Sequence, residues 1–306
     1  MNIRSRLSTL GIFLVCAVAA VAAPSATVVA IKGSVQTADH QALQPGATLP
    51  IGAVVRTSGG SEVSLRFFDG TVASVLADSE LIVERIESQQ QGGRNVTETT
   101  VLNLQRGTVV ASLDPAKKDV TRFSVRTPRG VAVAKGTVFA VRVTQDKANA
   151  TVGTMSGVVT FLTDRGEISV AFGQVTSGGS AQSVAAAVAA DPSLAAVFSE
   201  AALSIAAAVG QGAITNTADT PNLVAAVLAA VVKVAAEANP SQAGNLAQAV
   251  TAAAGIQDPA VVAIVNQAAS SGTPAARNAP APGTADTGAI LPALDQTQVV
   301  VSPSRN

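Results

Sequence analysis

Between residues 28 and 175 the chain is a close succession of short β-prone segments separated by glycine. That succession limits the fold more than any other feature. Its clearest part is residues 126–143, RTPRGVAVAKGTVFAVRV. Thr127-Pro128 resists helix because proline drives its predecessor toward extended geometry. Arg129-Gly130 signals a turn, and Val131 and Val133 then alternate with Ala132 and Ala134. Lys135-Gly136 marks a second turn or bulge, glycine being the residue that accepts a positive φ at little cost. Val138, Phe139, Val141 and Val143 follow with the branched and aromatic side chains that suit a strand. Residues 126–143 therefore read as two strands joined at a glycine.

Further strands are expected over 28–35, 53–57, 62–68, 71–75, 80–86, 97–104, 108–113, 122–126, 150–155, 158–163 and 167–172, with 89–94 as a hairpin loop. Spacing of this kind points to an all-β sandwich, barrel or solenoid. Residues 62–67, EVSLRF, alternate cleanly, so one face meets a core and the other water.

The order of these pieces resembles the FecR-type domain, a bacterial periplasmic module. Thr127, Pro128, Val133, Gly136, Thr137, Phe139 and Val141 carry the likeness, supported by residues 49–57, Phe68-Asp69-Gly70-Thr71, 104–109 and 157–159. It covers residues 28–179. Lys135 departs from the arginine more usual before that glycine. The resemblance implies sensing or relay in the envelope, since well-known members span a membrane, receive a signal from an outer-membrane transporter and control a sigma factor. This chain is expected to differ, because nothing but a few residues precedes its leader and no cytoplasmic sigma-binding helices are seen.

At Ser177-Gly178-Gly179-Ser180 the text becomes alanine-rich. Asp191-Pro192, Thr220-Pro221, Asn239-Pro240 and Asp258-Pro259 read as helix starts, because the polar residue can cap free amides and proline fits the first helical position. The expected organisation is a leader at 1–22, a FecR-type β domain at 23–179, an alanine-rich helical module at 180–272, and a Pro/Ala-rich disordered tail at 273–306. The opposite charge balance of the two halves suggests independently ordered units, residues 24–179 carrying 15 basic and 13 acidic residues and residues 180–306 carrying 3 and 7. Val299-Val300-Val301 is a short β-prone run near the end.

Arg4 and Arg6, an apolar run over 10–21 and Ala20-Val21-Ala22 form a secretory signal with its cleavage site. Cleavage removes Cys16, the one cysteine, and with it disulfide and thiolate chemistry. The expected compartment is periplasmic or extracellular, with no integral membrane span left after processing.

Catalytic groups are scarce. His40 is the one histidine and sits in a turn-like Asp39-His40-Gln41 context. A hydroxyl nucleophile would need a base and an orienting group beside it, and no such motif stands near His40. Zinc ligands and phosphate-cradling glycine motifs are absent, so no cofactor or metal is expected. Asp78 with Glu80 and Glu84 with Glu87 are close in sequence, but the chain has no Trp or Tyr to platform a sugar, and a solvated strand face explains them better.

The notable charge feature is Lys117, Lys118, Arg122, Arg126, Arg129 and Lys135. Arg122 and Arg126 share one strand face while Phe123 and Val125 take the other. Of these, Arg122, Arg126, Arg129 and Lys135 are the candidate partner-binding residues, for an envelope protein or an anionic envelope polymer rather than nucleic acid. The bland alternative is a solvated face paired to Asp114 and Asp119. A non-enzymatic binding or scaffold protein of the envelope is the first functional expectation, a family-like signalling protein the second, and an envelope hydrolase is disfavoured.

Overall fold

The computed structural model describes residues 24–92, 94–218 and 220–272. The expected leader and C-terminal tail lie outside them. Sixteen strands come first: β1 Ser25–Lys32, β2 Val35–Thr37, β3 Thr48–Pro50, β4 Val54–Thr57, β5 Glu62–Phe68, β6 Thr71–Val75, β7 Glu80–Gln91 and β8 Arg94–Leu113. Then follow β9 Thr121–Thr127, β10 Gly130–Ala134, β11 Val138–Val143, β12 Ala150–Ser156, β13 Val158–Thr163, β14 Gly166–Ala171, β15 Gln174–Thr176 and β16 Gln182–Ser183. Five α-helices close the described chain: α1 Val184–Ala190, α2 Ser193–Gly210, α3 Leu223–Ala238, α4 Ala243–Ala253 and α5 Pro259–Gly272. The fold is a mainly β sandwich followed by helices, with no solenoid repeat.

The strands form two sheets that share β8. A middle sheet runs β3-β1-β5-β6-β8-β11-β12-β15-β16, and an outer sheet runs β2-β4-β7-β8-β9-β10-β13-β14. All of these pairings are antiparallel except β8 with β9. Residues 97–104 and 108–113, expected as two strands, are one strand that changes sheet at Gly107. Before it β8 pairs with β7 and β9; from Gly107 onward it pairs with β11 and then β6. Gly107 has φ +87, and a Cβ there would lie 2.4 Å from the Ser79 Cα. The Thr108 amide donates to the Ser79 Oγ at 2.9 Å, which ties the corner down. Strands that switch sheets in this way build the corners of packed sandwiches.

A second corner lies at Gly136. The strands on either side of it, β10 and β11, do not pair with each other; one belongs to the outer sheet and the other to the middle sheet. The expected hairpin loop at 89–94 is also shorter than its composition suggests, because Gln91 pairs directly with Arg94.

Alternation along the middle sheet sorts its side chains into two cores. Val109, Ala111, Leu113, Phe139, Val141 and Val143 face the outer sheet. Val72, Val110, Val138, Ala140, Met155 and Val175 face the helices. Phe123 stands edge-on to both Phe67 and Phe139, with ring centroids 6.3 and 6.0 Å apart, in the inter-sheet core.

Helices α1, α2 and α3 pack on the far side of the middle sheet, α4 and α5 pack on α2 and α3, and all five share one continuous core with that sheet. The two halves, expected as independently ordered units, are joined through that core. Phe198 on α2 sits where strand β12 has Gly153, whose missing Cβ would be 2.6 Å from the Phe198 ring. Small residues let helices approach closely: a Cβ on Gly210 or Gly272 would meet the carbonyl of Ala253 or Lys233 at 2.5 or 2.6 Å. Polar ties cross the same interface. Ser204 Oγ donates to Glu62 Oε1 at 2.5 Å, Arg66 to the Gly212 carbonyl at 2.9 Å, and Arg142 to Ser193 Oγ at 2.7 Å.

Helix caps come from Ser183, Asp191 and Asp258, whose side chains accept from Ala186, Ser193 and Ala260 amides. Asn239-Pro240 opens a 3-10 turn ahead of α4. The free amide of Val224 in α3 is taken by Asn216, which lies upstream of Thr220-Pro221.

Candidate partner-binding face

Two of the four sheet faces meet each other and a third lies under the helices. The fourth, the outer face of the outer sheet, is open. On β9 the alternation places Arg122, Ser124 and Arg126 on this face while Thr121, Phe123 and Val125 are buried. Register brings Asn103 and Val131 beside Arg126, and Leu162 beside Val131. Val101 and Val133 flank Ser124 in the next row. The face is thus an interleaving of valines with guanidinium groups.

The four candidate cations fall at two ends of it. Arg126 and Arg129 lie at the end of the β9–β10 turn. Arg122 and Lys135 lie at the other, one register step beyond the Phe123–Ala134 pair. Arg126 lies four positions along the strand from Arg122, roughly 13 Å. Their side chains are not equally free. Arg122 Nη1 donates to the Asp119 and Thr121 carbonyls at 2.9 and 3.0 Å, and Arg126 lies 3.5 Å from Glu84 Oε2. Asp119 thus contributes a backbone carbonyl and no ion pair. Asp114 caps the turn at Ala116, and Lys117 pairs with Asp69 at 2.7 Å. The side chains of Arg129 and Lys135 have no hydrogen-bond or ion-pair partner among the described residues.

Arg129 sits in a turn closed by Thr127, whose Oγ1 donates to the Gly130 carbonyl and accepts from the Arg129 amide. Thr163, Arg165 and Gly166 repeat that turn at the β13–β14 connection. Because β10 pairs with β13, the two turns lie at the same end of the sheet, and Arg165 joins Arg129 there. Arg165 was missed by sequence reasoning, although the shared T-x-R-G spacing carries the signal. Pro128 is at the exposed tip of the first turn, whereas Thr137 and Phe139 are buried at the start of β11. Gly136 has φ +62, and a Cβ on it would lie 2.7 Å from the Pro115 Cα.

A shallow depression of about 320 Å³ opens on this face, lined by Glu84, Arg85, Val101, Ser124, Arg126 and Val131. Glu84 is doubly held, by Arg126 and by Asn103 Nδ2 at 2.6 Å. Glu80 pairs with Arg56 and Arg106, and Glu87 with Arg85. These carboxylates are parts of a charged strand face. His40 lies in an exposed turn at φ 59, with its amide on the Thr37 carbonyl. Among the described residues no three His, Cys, Asp or Glu side chains group as metal ligands.

Residues 53–160 match the family model described as FecR protein. This chain carries a FecR domain. The matched span runs from the start of β4 into β13 and contains both corners, at Gly107 and Gly136. FecR is a regulatory family, not an enzymatic one, and its members are typically membrane-associated with periplasmic domains. No curated protein matches the chain. Among solved structures, two crystal structures of a candidate anti-sigma factor from Parabacteroides distasonis, at 1.65 and 2.50 Å, align at 14% identity. The alignments cover 42% of this chain and 57% of that one, with TM-scores of 0.33 and 0.34. This chain therefore spans little more than half of that protein, and an overlap of that extent assigns it no role.

Proposed function

We propose that this protein is a non-catalytic binding protein of the bacterial envelope that docks its partner on the outer face of the FecR sandwich. The observation that carries this is the coverage of the sheets: helices bury the far side of the middle sheet, and among the described residues the outer face sets arginines beside partly exposed branched apolar residues. The valine rows between Arg126 and Arg122 suit a protein partner with apolar and acidic groups better than a uniformly charged polymer. Placement in the periplasm or outside the cell rests on the secretory leader read in the sequence.

A relay role is the second reading, favoured by the FecR domain itself. In it, the same face receives the upstream signal, and occupancy is passed on through the Gly107 and Gly136 corners to the middle sheet.

The test is cross-linking capture from envelope extracts with the parent protein, with Arg126→Glu/Val131→Asp, and with a helix-layer control, Gln248→Glu. The proposal expects the outer-face variant to lose the captured protein and the control to keep it. Loss with the control and retention with the outer-face variant would move the docking surface to the helices.

A further inference from the structure

Among the described residues, six buried side-chain oxygens have no hydrogen-bond partner, and four of them are Glu98 Oε2 and the hydroxyls of Thr100, Thr121 and Thr137. Each of these four residues is at most 4% exposed. Register places them together at one end of the sandwich. Glu98 and Thr121 are direct partners in the parallel pairing of β8 with β9, about 4.8 Å apart, and Thr100 follows Glu98 by two positions on the same inward face. On the other side of β9, Ala134 pairs with Phe123, so the next inward step sets the Gly136 corner beside Thr121. Thr137 leaves that corner with its methyl against Gly157, where a Cβ would lie 2.7 Å from Cγ2. Thr137 shares a face of β11 with Phe139, and Phe139 meets Phe123 edge-on across the two sheets. Thr121 and Thr137 each stand two positions from one of those rings.

The turn over 114–120 closes this end. The Val120 carbonyl accepts from the Glu98 amide at 2.9 Å, and Pro115 lies against Gly136. Beneath the turn the Glu98 carboxylate is half used: Oε1 accepts from Asn95 Nδ2 at 2.7 Å, whereas Oε2 receives no donor. No Lys or Arg among the described residues pairs with it. A buried polar group without its contact costs free energy, and a buried charge costs more unless it is paired. Four such oxygens in neighbouring positions call for something that supplies the missing contacts. The donor set is oxygen alone, one carboxylate and three hydroxyls, which suits a hard cation and not a metal that seeks thiolate or imidazole. Three of the four donors are hydroxyls, so no cluster of acids or imidazoles marks the place in the sequence.

We propose that Glu98, Thr100, Thr121 and Thr137 hold a hard cation, Ca²⁺ or Na⁺, inside this end of the sandwich. Glu98 Oε2 supplies the charge, Thr121 and Thr137 are the nearest hydroxyls, and water completes the oxygen shell that such ions require. The ion ties β8 through Glu98 to β9 through Thr121 and to the Gly136 corner through Thr137. It thereby joins the two sheets where the 114–120 turn covers them. The site lies between the sheets, so the inference stands independently of whether a partner docks on the outer face.

Calorimetric titration of CaCl₂, and separately of NaCl, into the chain from Ala23 to Asn306 in a tetramethylammonium buffer tests it. One saturable site per chain is expected for at least one of the two ions. The melting temperature should rise with its concentration, because an ion bound only by the folded state stabilises that state. Glu98→Gln keeps the shape and the Asn95 contact but removes the charge, and it should abolish both the heat and the temperature shift. Thr121→Val keeps the volume and removes one hydroxyl, and it should weaken binding roughly tenfold, the worth of one contact to a charged group. No heat and no shift with either ion would overturn the inference and leave water as the occupant. Undiminished binding by both variants would overturn it as well, by placing the ion elsewhere on the molecule. The titration of the parent chain needs neither variant, so a variant that fails to fold leaves the test intact.

Discussion

Gly136 shows how a residue's role is set by what lies against it. Its φ of +62 is costly for branched side chains, and Pro115 leaves no room for a Cβ. Gly136→Val should destabilise the protein by about 1–3 kcal/mol in chemical denaturation. An unchanged midpoint would mean that the corner tolerates a side chain. Glu62 makes a second residue-level case. Burial under α2 pushes its carboxyl above the ordinary range, opposed by the Ser204 hydroxyl and Lys32 and reinforced by Glu200. A raised folded-state pKa means that the carboxyl's contribution is fully present below the unfolded value and is lost as pH rises through the folded one. Glu62→Gln should therefore raise the melting temperature at neutral pH, and its advantage should vanish in acid. A constant advantage across that range would show that ionisation of Glu62 is not what opposes helix docking. At this scale much was legible: the alternation of Arg122 and Arg126 against Phe123 and Val125 follows from strand geometry alone. Gly107 was not, because its partner Ser79 lies far upstream in sequence.

Among elements, legibility followed the number of buried faces. Strands with one wet face, such as β9, announce themselves by alternation, whereas the polar face of β5, expected to meet water, lies under the helices, with Glu62 on Ser204 and Arg66 on the Gly212 carbonyl. The central strands of the middle sheet, β6, β11 and the later half of β8, are largely apolar on both faces, so their text marks them as strands but not which layer each face meets. Sheet membership was the part that local sequence could not carry. Nothing in residues 126–143 says that β10 and β11 part into different sheets, because the separation depends on β8 and β13 as partners. The helix starts were readable from their polar-proline pairs, whereas the surface they cover was not. Alanine contributes little area, so their docking leans on a few larger side chains, Phe198 foremost. Phe198→Ala should cost about 3–5 kcal/mol, seen as loss of helical signal at lower denaturant. A much smaller effect would mean that α2 is held elsewhere than over Gly153.

For the whole molecule, the composition switch near residue 180 is real, yet it marks a change of layer in one packed body. The candidate face was partly legible: its arginines stood out, while Arg165 emerged only when register placed its turn beside that of Arg129. Processing is a further whole-chain expectation. N-terminal sequencing of envelope material should begin at Ala23, and an intact Met1 in a membrane fraction would contradict release from the leader. The central claim is that helices and sandwich form one cooperative unit around the middle sheet, leaving the outer face free. Thermal unfolding followed at once by far-UV circular dichroism of the helices and by hydrogen exchange of β6, β8 and β11 tests it most directly. The account expects both signals to be lost in a single coincident transition. Helices melting first, over a sandwich that keeps its protection, would contradict it.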